Sequence, residues 1–139
     1  MSSDFFLLSK YMSKNVVIFS PNQTVLEVME LLQKHRISGG PVLNEGGQVI
    51  GMISESDCIK QIAESAYYNM PMHSVLVTEY MDTNVTTISC HLSILEAAQL
   101  FYTTKKKRFP VMDAQVLVGQ ISQSDILRAI LNSNNISSN

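Results

Sequence analysis

The chain has 139 residues, of which 45% are hydrophobic and only 16% charged, with ten basic and twelve acidic side chains and a net charge of −2. That length is typical of a domain whose core needs neither disulfide nor structural metal, and the apolar content excludes a disordered chain. No overall positive field draws it to nucleic acid or an anionic membrane, and no apolar run approaches the ~20 residues that span a bilayer.

The start, MSSDFFLLSK, places an acidic residue before a very short apolar run with no small-residue cleavage site after it, so it reads as a poor signal peptide. Phe5, Leu8 and Met12 recur at helical spacing, and a short leading helix is expected over 4–11. Val16–Phe19 reads as an extended segment. Thr24 followed by Glu27 is a capping-box signature, and Val25, Val28, Met29 and Leu32 form the apolar stripe of the helix behind it. Pro41-Val-Leu opens a strand, Asn44-Glu-Gly-Gly signals a hairpin turn, and Val49–Ile53 returns. That second strand runs into Ser54-x-x-Asp57, where another helix starts. Pro71 argues against an unbroken helix through the connector.

From Tyr80 the pattern repeats. Tyr11–Asn44 and Tyr80–Asp113 align without a gap at an offset of 69, and after a one-residue deletion in the turn GMISESD (Gly51–Asp57) aligns with GQISQSD (Gly119–Asp125) at an offset of 68. The second copy carries its own extended segment Val85–Ile88, cap Ser93 with Glu96, stripe Ile94, Ala97, Ala98 and Phe101, and strands Pro110-Val-Met and Leu117–Ile121. Each copy is therefore expected to be β-α-β-β-α, an α/β (α+β) unit too small to be comfortable alone. The two are expected to pack with pseudo-two-fold symmetry. The predicted boundaries are 8–66 for the first repeat, 67–79 for the connector, 80–131 for the second and 132–139 for an Asn/Ser-rich flexible tail.

Ser54 and Ser122 can cap the helices that follow them, and Asp57 and Asp125 suit a helix's first turn. The same hydroxyls and carboxylates can also accept or donate to a ribose, and position alone leaves both uses open. Lys105–Arg108 is the basic cluster of the chain. It is either a solvated turn or a phosphate-neutralising mouth. Cys58 and Cys90 lie in no CxxC spacing and read as reduced thiols of a cytoplasmic protein. His35, His73 and His91 are not at mutual ligand spacing, so no metal site is expected. No nucleophile–base–orienter set is readable.

The repeated strand, capped helix, Pro-Val strand and Gly-x-Ile-Ser-x-Ser-Asp ending resemble the cystathionine-β-synthase (CBS) domain family, and two copies are similar to one CBS pair, a Bateman module. The resemblance covers about residues 8–131. It implies a non-catalytic regulatory module that binds AMP, ADP, ATP or S-adenosylmethionine in clefts between the repeats, with no required cofactor. By the same resemblance Asp57, Asp125, Ser54 and Ser122 hold the ribose, and Val16, Ile37, Ser38 and Val85 line the adenine. Lys106, Lys107, Arg108 and Arg36 meet phosphate. The family's crossed arrangement sets Ile37 and Ser38 against the Ser122/Asp125 pocket, and Lys106 and Lys107 against that of Ser54/Asp57. Lys106-Lys-Arg-Phe-Pro110 departs from the family's small apolar run before Pro-Val. The resemblance also implies a stand-alone homodimer, with an unknown regulated protein as a further partner. The alternative is a structural or protein-interaction dimer that binds no ligand.

Overall fold

A computed structural model describes residues 7–69, 71 and 74–137. The elements run α1 (Val25–His35), β1 (Gly39–Leu43), β2 (Val49–Ser54), α2 (Glu55–Tyr68), β3 (Ile88–Ser89), α3 (Ile94–Thr104), β4 (Arg108–Asp113), β5 (Val116–Ser122) and α4 (Gln123–Ser137). Short 3-10 turns at Leu8–Lys10 and Val77–Glu79 precede each copy.

The capping boxes form as the spacing requires. Thr24 and Ser93 each receive the backbone N–H of the glutamate three residues on, and each glutamate carboxylate receives the cap's own N–H. Both helices end on a left-handed residue, Arg36 at φ 53° and Lys105 at φ 62°, which turns the chain directly into the next strand. Neither residue is a glycine, so each turn holds about 1–2 kcal/mol of backbone strain.

Two compact units divide the chain, and their boundaries cut across the repeats. One is Val17–Val85. The other combines the residues up to Val16 with those from Thr86 onward. The first contains the antiparallel β1–β2 hairpin and a core of Phe19, Val25, Val28, Leu32, Val42, Ile53, Cys58, Val75 and Val77. The second contains β3–β4–β5, with β3 parallel and β5 antiparallel to β4, and a core that includes Leu8, Ile94, Ala97, Phe101, Phe109, Val111 and Ile121. The leading segment of each copy is thus built into the unit of the other copy. Ser13 exchanges backbone hydrogen bonds with Gln120 on β5 at 2.8 and 2.9 Å, and Asp82 does the same with Met52 on β2 at 2.8 and 2.9 Å.

Several elements are shorter or longer than expected. The first strand of copy two is two residues, and that of copy one shrinks to a single parallel bridge, Phe19 to Val42. Phe19 alone bonds both ways, its N–H to Pro41 O and its carbonyl to Leu43 N–H, both at 2.9 Å, before the chain turns at Pro21. Of the leading helix only the turn Leu8–Lys10 appears, and residues 4–6 lie outside the described residues. At the other end α4 runs to Ser137, into the segment expected as a flexible tail. No proline or glycine interrupts Gln123–Ser137, so nothing local stops the helix. The one-residue-shorter turn of copy two puts Ala114 at φ 55°.

Candidate functional site

Ser54 closes β2 and caps α2. Its backbone N–H and its hydroxyl both donate to Asp57 Oδ2, at 2.8 and 3.0 Å, and the Asp57 N–H points back to Ser54 Oγ at 3.4 Å. Copy two repeats this geometry, with Ser122 donating to Asp125 Oδ2 at 2.8 and 3.1 Å and a return at 3.4 Å. The helix-capping use of these four residues is therefore real, and it occupies one oxygen of each carboxylate. Such a cap contributes about 1 kcal/mol.

The second oxygen separates the copies. Asp57 Oδ1 has no hydrogen bond or ion pair among the described residues. Asp125 Oδ1 lies 3.1 Å from Arg128 Nη1. Arg128 also donates from Nη2 to the Tyr11 carbonyl at 3.0 Å, with its guanidinium 5.9 Å from the Tyr11 ring. The counterpart tyrosine is tied differently: Tyr80 OH donates to Glu64 Oε1 on α2 at 2.6 Å. Sequence reading missed Arg128, although a basic residue stands three after the aspartate in both copies, as Lys60 and Arg128, at a spacing that brings helix neighbours together.

Within each unit the segment before the Pro-Val strand lies beside its own Ser–Asp pair. Gly39 is the register partner of Ser54, and Ser38 O accepts the Glu55 N–H at 2.9 Å. Ile37 packs against the Phe19 core. In the other unit Arg108 is the register partner of Ser122. There Lys107 O accepts the Gln123 N–H at 3.4 Å, and Lys106 O accepts from Gln123 Nε2 at 3.1 Å. Gln123 thus fixes the entrance backbone of copy two, a role the sequence did not suggest. Arg36 sits exposed at the C-terminal cap of α1. Val85 is half-buried at the end of the unit that holds Ser54 and Asp57, while Val16 belongs to the unit of Ser122 and Asp125. Segment exchange therefore puts Val16 of copy one into the unit of Asp125 and Val85 of copy two into the unit of Asp57.

A family model for the CBS domain matches residues 8–64 and 77–132. The chain belongs to the CBS domain family. Two matches in one chain make it a tandem CBS pair, a Bateman module. The CBS pair is 26% identical to protein MJ1426 of Methanocaldococcus jannaschii, over 94% of this chain and 95% of that one. Its fold matches CBSX2 of Arabidopsis thaliana, solved in complex with AMP, at a TM-score of 0.79 and 23% identity, covering 93% of this chain and 98% of that one. It also matches the CBS domain pair of protein MJ0100, solved with 5′-methylthioadenosine and S-adenosyl-L-methionine, at a TM-score of 0.76 and 25% identity, covering 89% and 98%. Among the described residues no helix of the CBS pair is long and apolar enough to cross a membrane.

The CBS pair also brings Asp113 to the adjacent residues Cys90 and His91. Cys90, His91 and Asp113 bring one potential ligand atom each to within 4.8 Å of one another. His35 is exposed on α1 and belongs to no such group, and His73 lies outside the described residues.

Proposed function

We propose that this CBS pair is a non-catalytic regulatory module that binds an adenosine-type ligand, one of AMP, ADP, ATP or S-adenosylmethionine. Its ribose hydroxyls engage Ser54 and Asp57 in one copy and Ser122 and Asp125 in the other. The observation that carries this reading is the pre-set carboxylate. In each copy a helix cap immobilises Asp Oδ2 and the serine hydroxyl, so a ribose meets an aspartate whose ordering is already complete. Asp57 Oδ1 is available as an acceptor, and a charged acceptor forms the stronger class of hydrogen bond. The AMP of CBSX2 and the methylthioadenosine and S-adenosylmethionine of MJ0100 support the ligand class. Ile37, Ser38, Val16 and Val85 supply adenine contacts, and Lys106, Lys107, Arg108 and Arg36 supply positive charge to phosphate.

The partner in this reading is a second copy of the chain. Leu95 and Tyr102 on α3 and Leu127 and Leu131 on α4 are all more than half exposed, and Tyr102 and Leu127 line one groove of about 450 Å³ between the helices. Covering such surface fits a homodimer. A ligand then acts by favouring one arrangement of the assembly over another, and can shift it only by its difference in affinity for the two. The two free thiols fit a cytoplasmic protein.

Calorimetric titration with the four ligands tests the reading. One of them is expected to bind, with Asp57→Ala and Asp125→Ala each weakening it. No heat and no thermal shift from any of the four overturns the sensor and leaves the structural dimer. Full affinity in the double variant overturns the ribose assignment while keeping the sensor.

A further inference from the structure

The two copies serve as internal controls for each other, and they diverge at one surface corner. In copy one the positions after the first strand and at the end of β1 are Pro21, Asn22 and Asn44. Asn44 is committed to its hairpin: Oδ1 accepts the Gln48 N–H at 3.0 Å and Nδ2 donates to Gln48 Oε1 at 2.9 Å. Together with neighbouring residues these three line a shallow cavity of about 370 Å³ that offers no Cys or His side chain and a single carboxylate, Glu45. In copy two the same three positions are Cys90, His91 and Asp113, each replaced by a residue type that ligates transition metals.

The backbone holds this corner together. Parallel pairing of β3 with β4 sets Ile88 beside Val111 and Ser89 beside Met112. The ladder continues one step, with the Cys90 N–H donating to Met112 O at 2.9 Å, which brings Cys90 alongside Asp113. The His91 N–H donates to Ser89 Oγ at 3.1 Å and the Leu92 N–H to Ser89 O at 3.2 Å, which fixes the backbone that carries the His91 side chain. His91 Nε2 stands 3.7 Å from Asp113 Oδ1.

We infer that Cys90, His91 and Asp113 form a surface site for a zinc-like divalent ion, with a fourth position open to solvent or to a second molecule. Thiolate, imidazole and carboxylate around tetrahedral zinc have their donor atoms about 3.2–3.7 Å apart, from bond lengths near 2.0–2.3 Å. The three donors already lie within 4.8 Å. The side chains of His91 and Asp113 are 80% and 60% exposed, so torsional adjustment closes the remaining gap without disturbing the core. A sulfur–nitrogen–oxygen set favours zinc or cobalt(II) over magnesium or calcium, which prefer all-oxygen sites. The site is independent of the nucleoside reading.

The test uses the full chain and Zn²⁺ alone. The rate of Cys90 alkylation is followed by peptide mass mapping. Cys58 is buried, and that burial pushes its thiol up to about 11, so Cys90 is the reactive thiol. Zinc is expected to suppress Cys90 alkylation, and magnesium is not. Cobalt(II) is expected to give a thiolate charge-transfer band that Cys90→Ser abolishes. His91→Ala and Asp113→Asn, both surface changes, are expected to weaken protection by about tenfold or more, the scale that even outer-shell losses reach at metal sites. Unchanged alkylation at saturating zinc overturns the site. Wild-type protection in both His91→Ala and Asp113→Asn overturns this ligand set and reduces the effect to a lone thiol.

Discussion

At the residue scale the two aspartates differ by one arginine. Asp125 Oδ1 is held by Arg128, which also ties down the Tyr11 carbonyl, whereas Asp57 Oδ1 has no such partner among the described residues. In the proposed reading, a ribose at Asp125 would have to share or displace a cation. Asp57→Ala is therefore expected to lower adenosine-ligand affinity more than Asp125→Ala, and Arg128→Met is expected to narrow the difference. Calorimetry on the three variants reads this directly, and equal losses in the two alanine variants would contradict it. Arg128 is half exposed, so its removal should change stability by less than about 1 kcal/mol. Cys58 carries a different prediction. Burial first, then the Asp57 and Glu55 carboxylates, raise its thiol from an ordinary 9.0 to about 11. The folded chain then keeps a proton that the unfolded chain releases. This stabilising contribution is whole below pH 9 and is lost as pH climbs through about 11. Urea unfolding at pH 8 and pH 11 should show Cys58→Ala with the shallower alkaline loss, and an identical slope would exclude the thiol as a source.

At the element scale the exchanged leading segments explain two glycines. A Cβ on Gly119 would stand 2.7 Å from Met12 Sδ and 2.8 Å from the Ser13 carbonyl. On Gly51 it would stand 2.5 Å from Met81 Sδ and 3.2 Å from the Asp82 carbonyl. A thioether can swing aside, but a carbonyl fixed in a backbone bridge cannot. Gly119→Ala should therefore cost about 1–3 kcal/mol, and Gly51→Ala less. Denaturant unfolding measures both. Faster proteolysis within residues 7–13 of the Gly119 variant would place the damage at the displaced segment. The sequence could not say that the chain approaching each glycine comes from the other copy's leader.

At the scale of the whole molecule the exposed apolar side chains of α3 and α4 carry the assembly prediction. The chain is expected to be a dimer by light scattering, and Leu127→Lys, which puts a charge into the groove beside Tyr102, is expected to shift it to monomer. A monomeric wild type would remove the partner from the proposed function. A dimer indifferent to Leu127→Lys would move the interface elsewhere. The low charge fraction agrees with covered surface, but it names no face.

The repeat made most of the local structure readable. Capping boxes at Thr24, Ser54 and Ser93, the apolar stripes, and the Pro-Val hairpins all follow from short-range chemistry, and each appears where its residues predict. The candidate Ser–Asp pairs were readable for the same reason, since a cap and its partner are three residues apart. What was not readable depends on segments distant in sequence. Arg128 reaches Asp125 along one helix, but its hold on Tyr11 spans almost the entire chain. Cys90 and Asp113 meet only because a two-residue parallel strand sets the register. The sequence by itself determined the capped helices, the Pro-Val hairpins and the family, because caps, periodicity and repetition are local and each is present twice. Only the tertiary structure decided which leader packs on which copy, that Arg128 also holds the Tyr11 carbonyl, and that Asp113 meets Cys90 and His91 at the end of β4. Those outcomes depend on pairing between remote segments, for which neither propensity nor spacing carries a signal.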